Sequence, residues 1–148
     1  MKEKLLISAC LLGCRCKYDG GANTLPAETL AALREKYEMV PVCPETAGGL
    51  PVPRVPSERR GGRVVTREGK DVTAEYEKGA RVALELAVRF GCRKALLKER
   101  SPSCGAGEIY DGTFSHTFVP GDGVAAETLR EAGLELCGES RVRELIGI

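Results

Sequence analysis

Short apolar runs, each followed by polar, glycine-bearing stretches or by helical spacing, set the rhythm of the chain. Lys4 to Ser8 predicts a buried strand that passes directly into a polar loop from Cys10 to Asn23. Pro26 suits the first turn of a helix, and beyond it Leu30, Leu33 and Tyr37 recur at three and four positions, one helical face. Met39 to Val42 predicts a second strand. From Cys43 to Arg60 the density of Pro44, Pro51, Pro53, Pro56, Gly48 and Gly49 argues against regular structure over most of the stretch. A loop this long inside a compact domain is usually functional.

The clearest helix is predicted to start at Asp71 or Thr73, both good N-caps. It carries Tyr76, Ala80, Ala83, Leu84, Ala87 and Phe90 and stops at Gly91. Lys94 to Lys98 predicts a third strand, followed by the loop Ser101 to Gly105. A small hairpin is expected around Asp111-Gly112 within Ile109 to Phe118, then a helix after Asp122. Leu134 to Cys137 predicts the last strand and Arg141 to Ile148 a terminal helix. This alternation implies a single α/β domain over residues 1–148, a Rossmann-like parallel sheet with helices on both faces.

Composition narrows the function. Lys plus Arg (22) nearly cancels Asp plus Glu (21), leaving a formal charge of +1. That is far from the basic excess that binds long nucleic acid through counterion release. Met1 to Ile7, followed by Ser8-Ala9-Cys10, imitates a lipoprotein signal, but only Leu5, Leu6 and Ile7 stand where a secretory segment needs roughly 7 to 15 apolar residues. No stretch approaches the roughly 20 apolar residues of a membrane helix, so a cytoplasmic protein without a membrane partner is expected. In such a reducing compartment, seven cysteines point to metal ligands, catalytic thiols or buried apolar residues before disulfides.

Three of them stand in corresponding places. Cys10 follows the first predicted strand, Cys43 the second, and Cys104 comes shortly after the third. The carboxyl ends of parallel strands form the ligand crevice of such sheets, so these thiols are expected to converge on one edge without any CxxC spacing. Converging thiolates ask for a soft metal or cluster, zinc and iron-sulfur both fitting. Each is equally readable alone as a small buried hydrophobe. Cys14 reads as incidental and Cys16 as an auxiliary thiol in the same loop. Cys92 and Cys137 read as structural.

Around these cysteines lie groups able to handle a polar substrate. Glu45 follows Cys43 by two residues, and burial with nearby negative charge would favour its acid form, suiting proton exchange near neutral pH. Ser101 and Ser103 border Cys104, their hydroxyls serving a substrate or the turn beside Pro102. Lys98, Arg100 and Arg54 are loop-edge cations that either hold a substrate carbonyl or phosphate or are simply solvated. His116, the only histidine, reads as a hairpin residue. No phosphate-loop or dinucleotide fingerprint occurs, and the Gly121-Asp122-Gly123 turn into a helix is a weaker anion site that equally reads as a cap.

With these residues in view, the chain resembles the TudS-like thiouracil desulfurase family over nearly its whole length. The resemblance rests on Ser8-Ala9-Cys10-Leu11-Leu12-Gly13, Tyr18-Asp19-Gly20, Cys43-Pro44-Glu45, Ser101-Pro102-Ser103-Cys104-Gly105, Tyr110-Asp111-Gly112 and Pro120-Gly121-Asp122-Gly123-Val124. It implies a [4Fe-4S] cluster held by Cys10, Cys43 and Cys104, with one iron open to the sulfur of a thiolated pyrimidine, and Glu45 and Ser101 beside that substrate. Cys14 next to Cys16, and His116 where a small residue is expected, depart from the family pattern.

The expected reaction exchanges the thiocarbonyl sulfur for the oxygen of water, with Glu45 moving the proton and no net electron transfer. The partner is then a small thiolated pyrimidine, and the protein a monomer or small homo-oligomer. Two other classes share the same cysteines, a cluster-bearing sensor or sulfur carrier and a zinc-stabilised binding module.

Overall fold

The computed structural model describes residues 1–147. In chain order the elements are β1 (Glu3–Ser8), α1 (Ala27–Lys36), β2 (Tyr37–Val42), α2 (Pro44–Ala47), β3 (Ser57–Arg60), β4 (Arg63–Thr66), α3 (Thr73–Phe90) and β5 (Lys94–Leu97). They continue with β6 (Glu108–Tyr110), β7 (Phe118–Pro120), α4 (Val124–Glu131), β8 (Glu135–Gly138) and α5 (Arg143–Ile146). Single 3-10 turns at Ala9–Leu12 and Glu139–Arg141 follow β1 and β8.

Four strands form a parallel sheet in the order β2-β1-β5-β8, with Leu6 opposite Val40 on one side and Ala95 on the other. Strand side chains alternate between faces, so an unbroken apolar run buries both. Leu5 and Ile7 pack with Leu96 against Leu30 and Leu33 of α1 and Leu145 of α5. Leu6, Ala95 and Leu97 face the other way, onto Ala83 and Ala87 of α3 and Ala126 and Leu129 of α4. The two-sided α/β arrangement expected from the chain's alternation is therefore what forms. Strand order reverses beside β1, and the crevice of such a sheet opens beyond the carboxyl ends of its central strands.

Some local expectations are corrected. Tyr37 does not finish the α1 face; it opens β2 opposite Glu3 and donates its hydroxyl to the Leu145 carbonyl at 3.0 Å, fully buried. An aromatic residue is at home on a pleated, buried surface, and here sheet pairing outweighs helical spacing. The Cys43–Arg60 stretch is less irregular than its prolines imply, since it holds α2 and the antiparallel strand β3. Ser57-Glu58-Arg59-Arg60 shows no apolar alternation, so β3 is visible only through its Gly61-Gly62 turn, which joins the paired Arg60 and Arg63. The second hairpin exists, but β6 and β7 flank residues 111–117, and Asp111-Gly112 opens that loop instead of forming its tip. The predicted terminal helix is a single turn preceded by a 3-10 turn, and Ile148 lies outside the described residues. Among the described residues, no helix is long and apolar enough to cross a membrane.

Candidate active site

The sheet topology brings distant loops to one place. A cavity of about 410 Å³ opens beyond the ends of β1, β2 and β5, lined by Cys10, Cys16, Cys43, Glu45, Arg54, Lys98, Ser101, Ser103 and Cys104. That volume falls in the roughly 300–1,000 Å³ range of small-molecule sites. The three cysteines expected at one edge thus share a wall, with Cys10 near enough to Cys43 and to Cys104 for ionisation of one thiol to oppose that of its neighbour. Cys16 joins them, buried beside Cys43, whose sulfur lies 3.9 Å from the Cys16 carbonyl. Cys14 is exposed and outside the cavity, and Cys92 sits in the core beneath α3. Cys137 directs its thiol to the Gly138 and Arg141 carbonyls, both at 3.3 Å.

Each cysteine-bearing loop is fixed by local chemistry. Ser8, buried at the end of β1, accepts the Lys98 backbone N–H at 2.9 Å and so clamps the ends of β1 and β5 together. Cys43 precedes Pro44, which starts α2 with a ring preset for the first helical position. The short helix lies directly on α3. A Cβ added at Gly79 would come 1.8 Å from the Pro44 carbonyl oxygen, and one at Gly48 would come 1.9 Å from that of Glu75. Only glycine allows this approach, and it sets where Glu45 stands.

The loop carrying Cys104 wraps around a hydroxyl. Ser101 Oγ accepts the backbone N–H groups of Ser103 and Cys104, each at 3.1 Å. The first turn of α4 then holds the loop from outside: Val124 N–H donates to the Pro102 carbonyl at 2.8 Å and Ala126 N–H to that of Ser103 at 3.0 Å. The helix N-terminus read as a weak anion site therefore spends these donors on the loop carbonyls, and its N-cap, Gly123, adds no side-chain cap.

Glu45 is the hub. Its Oε1 accepts from Arg54 Nε at 3.1 Å and lies 3.0 Å from Nη2 in an ion pair, while Oε2 accepts from Ser103 Oγ at 2.9 Å and Ser101 Oγ at 3.4 Å. The serine hydroxyls also meet each other at 3.0 Å. Glu45 is largely shielded from solvent, and its charged neighbour is a guanidinium that the expectation omitted. Arg54, read from sequence as a substrate cation, also donates to the Cys16 carbonyl at 2.9 Å and the Pro51 carbonyl at 3.1 Å. Lys98 reaches Glu139 at 2.7 Å and its neighbour's carbonyl at 3.2 Å, on the cavity wall near Cys10. Arg100 lies at the rim, bonded to Glu108 and stacked over Phe118.

Burial governs the thiols. It pushes Cys104 up to about 12, with hydrogen bonds from Ser8 and Ser103 pulling the other way. It raises Cys10 as well, opposed by Asn23 and reinforced by Cys43, and raises Cys16, with Cys43 adding to the effect. These groups hold their protons at neutral pH unless a metal displaces them. Among the described residues, no group of three or more His, Cys, Asp or Glu side chains that could hold a single metal ion comes together. The thiols are spread along a cavity wall, unlike the mononuclear zinc site at about 2.3 Å per sulfur that the zinc-module alternative needs.

Several lining groups were not singled out from sequence. Tyr76 is buried on α3, where helical spacing marks it only as core, yet it stands beside Glu45, whose charge adds to the burial that pushes its hydroxyl well up. Glu58, from the unforeseen hairpin, accepts the N–H groups of Gly112 and Phe114, both at 3.0 Å, and so secures the 111–117 loop over the cavity. That loop carries His116, in left-handed backbone at φ 58° and edge-on to Tyr110 with ring centres 6.3 Å apart. His116 is a hairpin-loop residue, as read, and it also lines the cavity.

Comparison with known proteins agrees with this geometry. The sequence model of the 2-thiouracil desulfurase family matches residues 5–141. An uncharacterized protein of Bacillus subtilis (strain 168), YbbK, is 37% identical over 152 residues, covering 96% of this chain and 99% of that one. A solved structure described as a [4Fe-4S]-dependent thiouracil desulfidase, TudS, superposes with a TM-score of 0.93 at 47% identity, covering 97% of this chain and 95% of that one. Matched along nearly its whole length in sequence and in fold, the chain belongs to the 2-thiouracil desulfurase family.

Proposed function

We propose that this protein hydrolyses the thiocarbonyl of a small thiolated pyrimidine to the oxo-pyrimidine and hydrogen sulfide, using a [4Fe-4S] cluster held by Cys10, Cys43 and Cys104. The observation that carries the reading is the meeting of these three thiols with the Glu45–Ser103–Ser101 hydrogen-bond network in one cavity. The donor set fits the group: soft sulfur ligands distributed around a wall suit a multinuclear cluster, and three protein ligands for four irons leave one position open to substrate. When bound, the cluster supplies Lewis acidity toward the substrate sulfur. The described relation to a [4Fe-4S]-dependent thiouracil desulfidase supports the same cofactor and substrate class.

The chain's own residues supply the proton handling. Glu45 Oε2, held between two hydroxyls, takes a proton from water as its oxygen adds to the ring carbon, then returns one as the carbon–sulfur bond breaks. Water and the C=S group thereby become C=O and hydrogen sulfide, with no electron gained or lost. Ser101 and Ser103 orient the attacking water and the substrate's polar edge. Lys98, kept at the wall by Glu139, faces a ring carbonyl. The reaction takes place in the cytoplasm on a small molecule, with no role for long nucleic acid or membrane.

The test is anaerobic. Iron- and sulfide-loaded protein incubated with 4-thiouracil is expected to release uracil and sulfide in equal amounts. A cluster-loaded sample that leaves the thiobase absorbance unchanged would favour a sensor or sulfur carrier.

A further inference from the structure

Arg54 carries a positive charge into the cavity, which invites a substrate-binding role. Its hydrogen bonds argue otherwise. The guanidinium side chain is only 7% exposed and its carboxylate partner only 14%. Nε donates to Glu45 Oε1, Nη2 donates to the Cys16 carbonyl while standing 3.0 Å from the same Glu45 oxygen, and Nη1 donates to the Pro51 carbonyl. A guanidinium carries its N–H donors in one fixed plane, and here each of its three nitrogens is already bonded to protein. The backbone N–H of the same residue donates to the Tyr18 carbonyl at 2.7 Å. One residue therefore fastens the Cys43–Arg60 stretch to the Cys10–Asn23 loop by both main chain and side chain.

The division of the carboxylate is the informative feature. Arg54 occupies Oε1 alone, while Oε2 is turned to the hydroxyls of Ser101 and Ser103 and to the cavity. A planar fork anchored by two peptide carbonyls fixes where Oε1 is held, and the serine hydroxyls on Oε2 complete the hold on the carboxylate. A lysine ammonium, a point charge on a flexible stem, lacks that fork.

We infer that Arg54 is a positioning residue: it grips one oxygen of Glu45 so that the other is presented to the reacting water, and it makes no contact with substrate. This rests on the proposed role of Glu45. It also separates two kinds of cation in the cavity, the buried Arg54 and the half-exposed Lys98, with Lys98 left as the substrate-facing charge.

The experiment compares Arg54→Lys, Arg54→Ala, Glu45→Ala and the Arg54→Lys/Glu45→Ala double variant, all anaerobically loaded. It reads kcat and KM for 4-thiouracil, uracil affinity by calorimetry, and the cluster absorbance. Arg54→Lys is expected to lower kcat by at least tenfold, with KM and uracil affinity within about twofold of wild type and the cluster absorbance retained. In the Glu45→Ala background the lysine substitution is expected to add no further loss, as coupled residues are not additive. Added guanidinium ion is expected to restore part of the turnover of Arg54→Ala. Uracil affinity weakened tenfold with kcat preserved, or losses that multiply in the double variant, would overturn the inference. Full kcat in Arg54→Lys beside an inactive Glu45→Ala would sink the role of Arg54 alone. Full kcat in Glu45→Ala would instead end the hydrolytic reading of Glu45.

Discussion

Ser103 Oγ donates to Glu45 Oε2 at 2.9 Å across 58 positions of sequence, joining the loop after β5 to the short helix after β2. Both residues directly neighbour or closely follow a cavity cysteine, so the proton-handling group and the thiols are positioned by the same two turns. Glu45→Ala is expected to keep its iron and brown colour and lose about 10²- to 10⁴-fold in turnover, the usual worth of a general acid–base group. Ser103→Ala, which leaves the carboxylate held by Arg54 and Ser101, is expected to lose less. Stopped assays of 4-thiouracil disappearance with parallel iron counts check both, and undiminished rates in Glu45→Ala would remove that residue from the chemistry.

Gly79 is the hinge of a second expectation. Its missing side chain lets Pro44 sit against α3, where an alanine Cβ would stand 1.8 Å from a backbone oxygen that has no freedom to rotate away. Gly79→Ala improves helix propensity by about 1 kcal/mol on an isolated helix. Here it is expected to destabilise by about 1–3 kcal/mol through overpacking, and to slow turnover by displacing Glu45. Thermal unfolding of the variant checks the sign; unchanged or raised stability would mean that α2 moves freely on α3.

The metal-free protein should be alkali-labile. The Cys104 thiol rises from 9.0 to about 12 on folding, chiefly by burial, and burial raises Cys10 and Tyr76 in the same direction. A neutral acid whose folded pKa lies above its unfolded value contributes stability below the unfolded pKa and loses it as pH rises toward the folded one. The melting temperature of the apo-protein is therefore expected to fall between about pH 9 and 12. Cys104→Ser, whose hydroxyl does not ionise there, is expected to show a shallower decline in denaturant titrations across that window.

At the acid end, Asp122 is the best shielded from solvent of the carboxylates held low by their partners. Its hydrogen bond from Arg130, at 2.8 Å and 3.0 Å to the two carboxylate oxygens, holds its carboxyl below the usual carboxylate range, helped by the Gly107 N–H. A depressed pKa contributes stability above the unfolded value of about 3.9 and loses it as pH falls through the folded one. Asp122→Asn is expected to cost about 1–2 kcal/mol at neutral pH, the scale of a charge-assisted hydrogen bond. The gap to wild type should narrow as the solution is acidified, measured by urea unfolding at several pH values.

Much of this architecture was legible in the residues because it follows from burial. Leu5, Leu6 and Ile7 announce a strand hidden on both faces, and the alanines of the helix from Thr73 announce close packing on it. Cysteines placed after successive parallel strands converge by topology alone, and so Cys10, Cys43 and Cys104 were readable as neighbours. What escaped the sequence is contact between side chains of separate loops. Arg54 and Glu45 lie in one proline-rich stretch whose path no periodicity describes, so their pairing and its consequence for Arg54 emerge only in three dimensions. Tyr76 looked like core because it is core, with the site behind it. β3 was hidden because its partner contacts are polar: Glu58 is buried to hold the backbone of another loop, not to fill an apolar face.

Three thiols are proposed to share one cofactor, and metal analysis of anaerobically purified protein tests that most directly. The expected result is the iron and acid-labile sulfide of one cubane cluster per chain, lost in Cys104→Ala and retained in Cys14→Ala. Zinc without labile sulfide, or a cluster that survives replacement of Cys104, would contradict it.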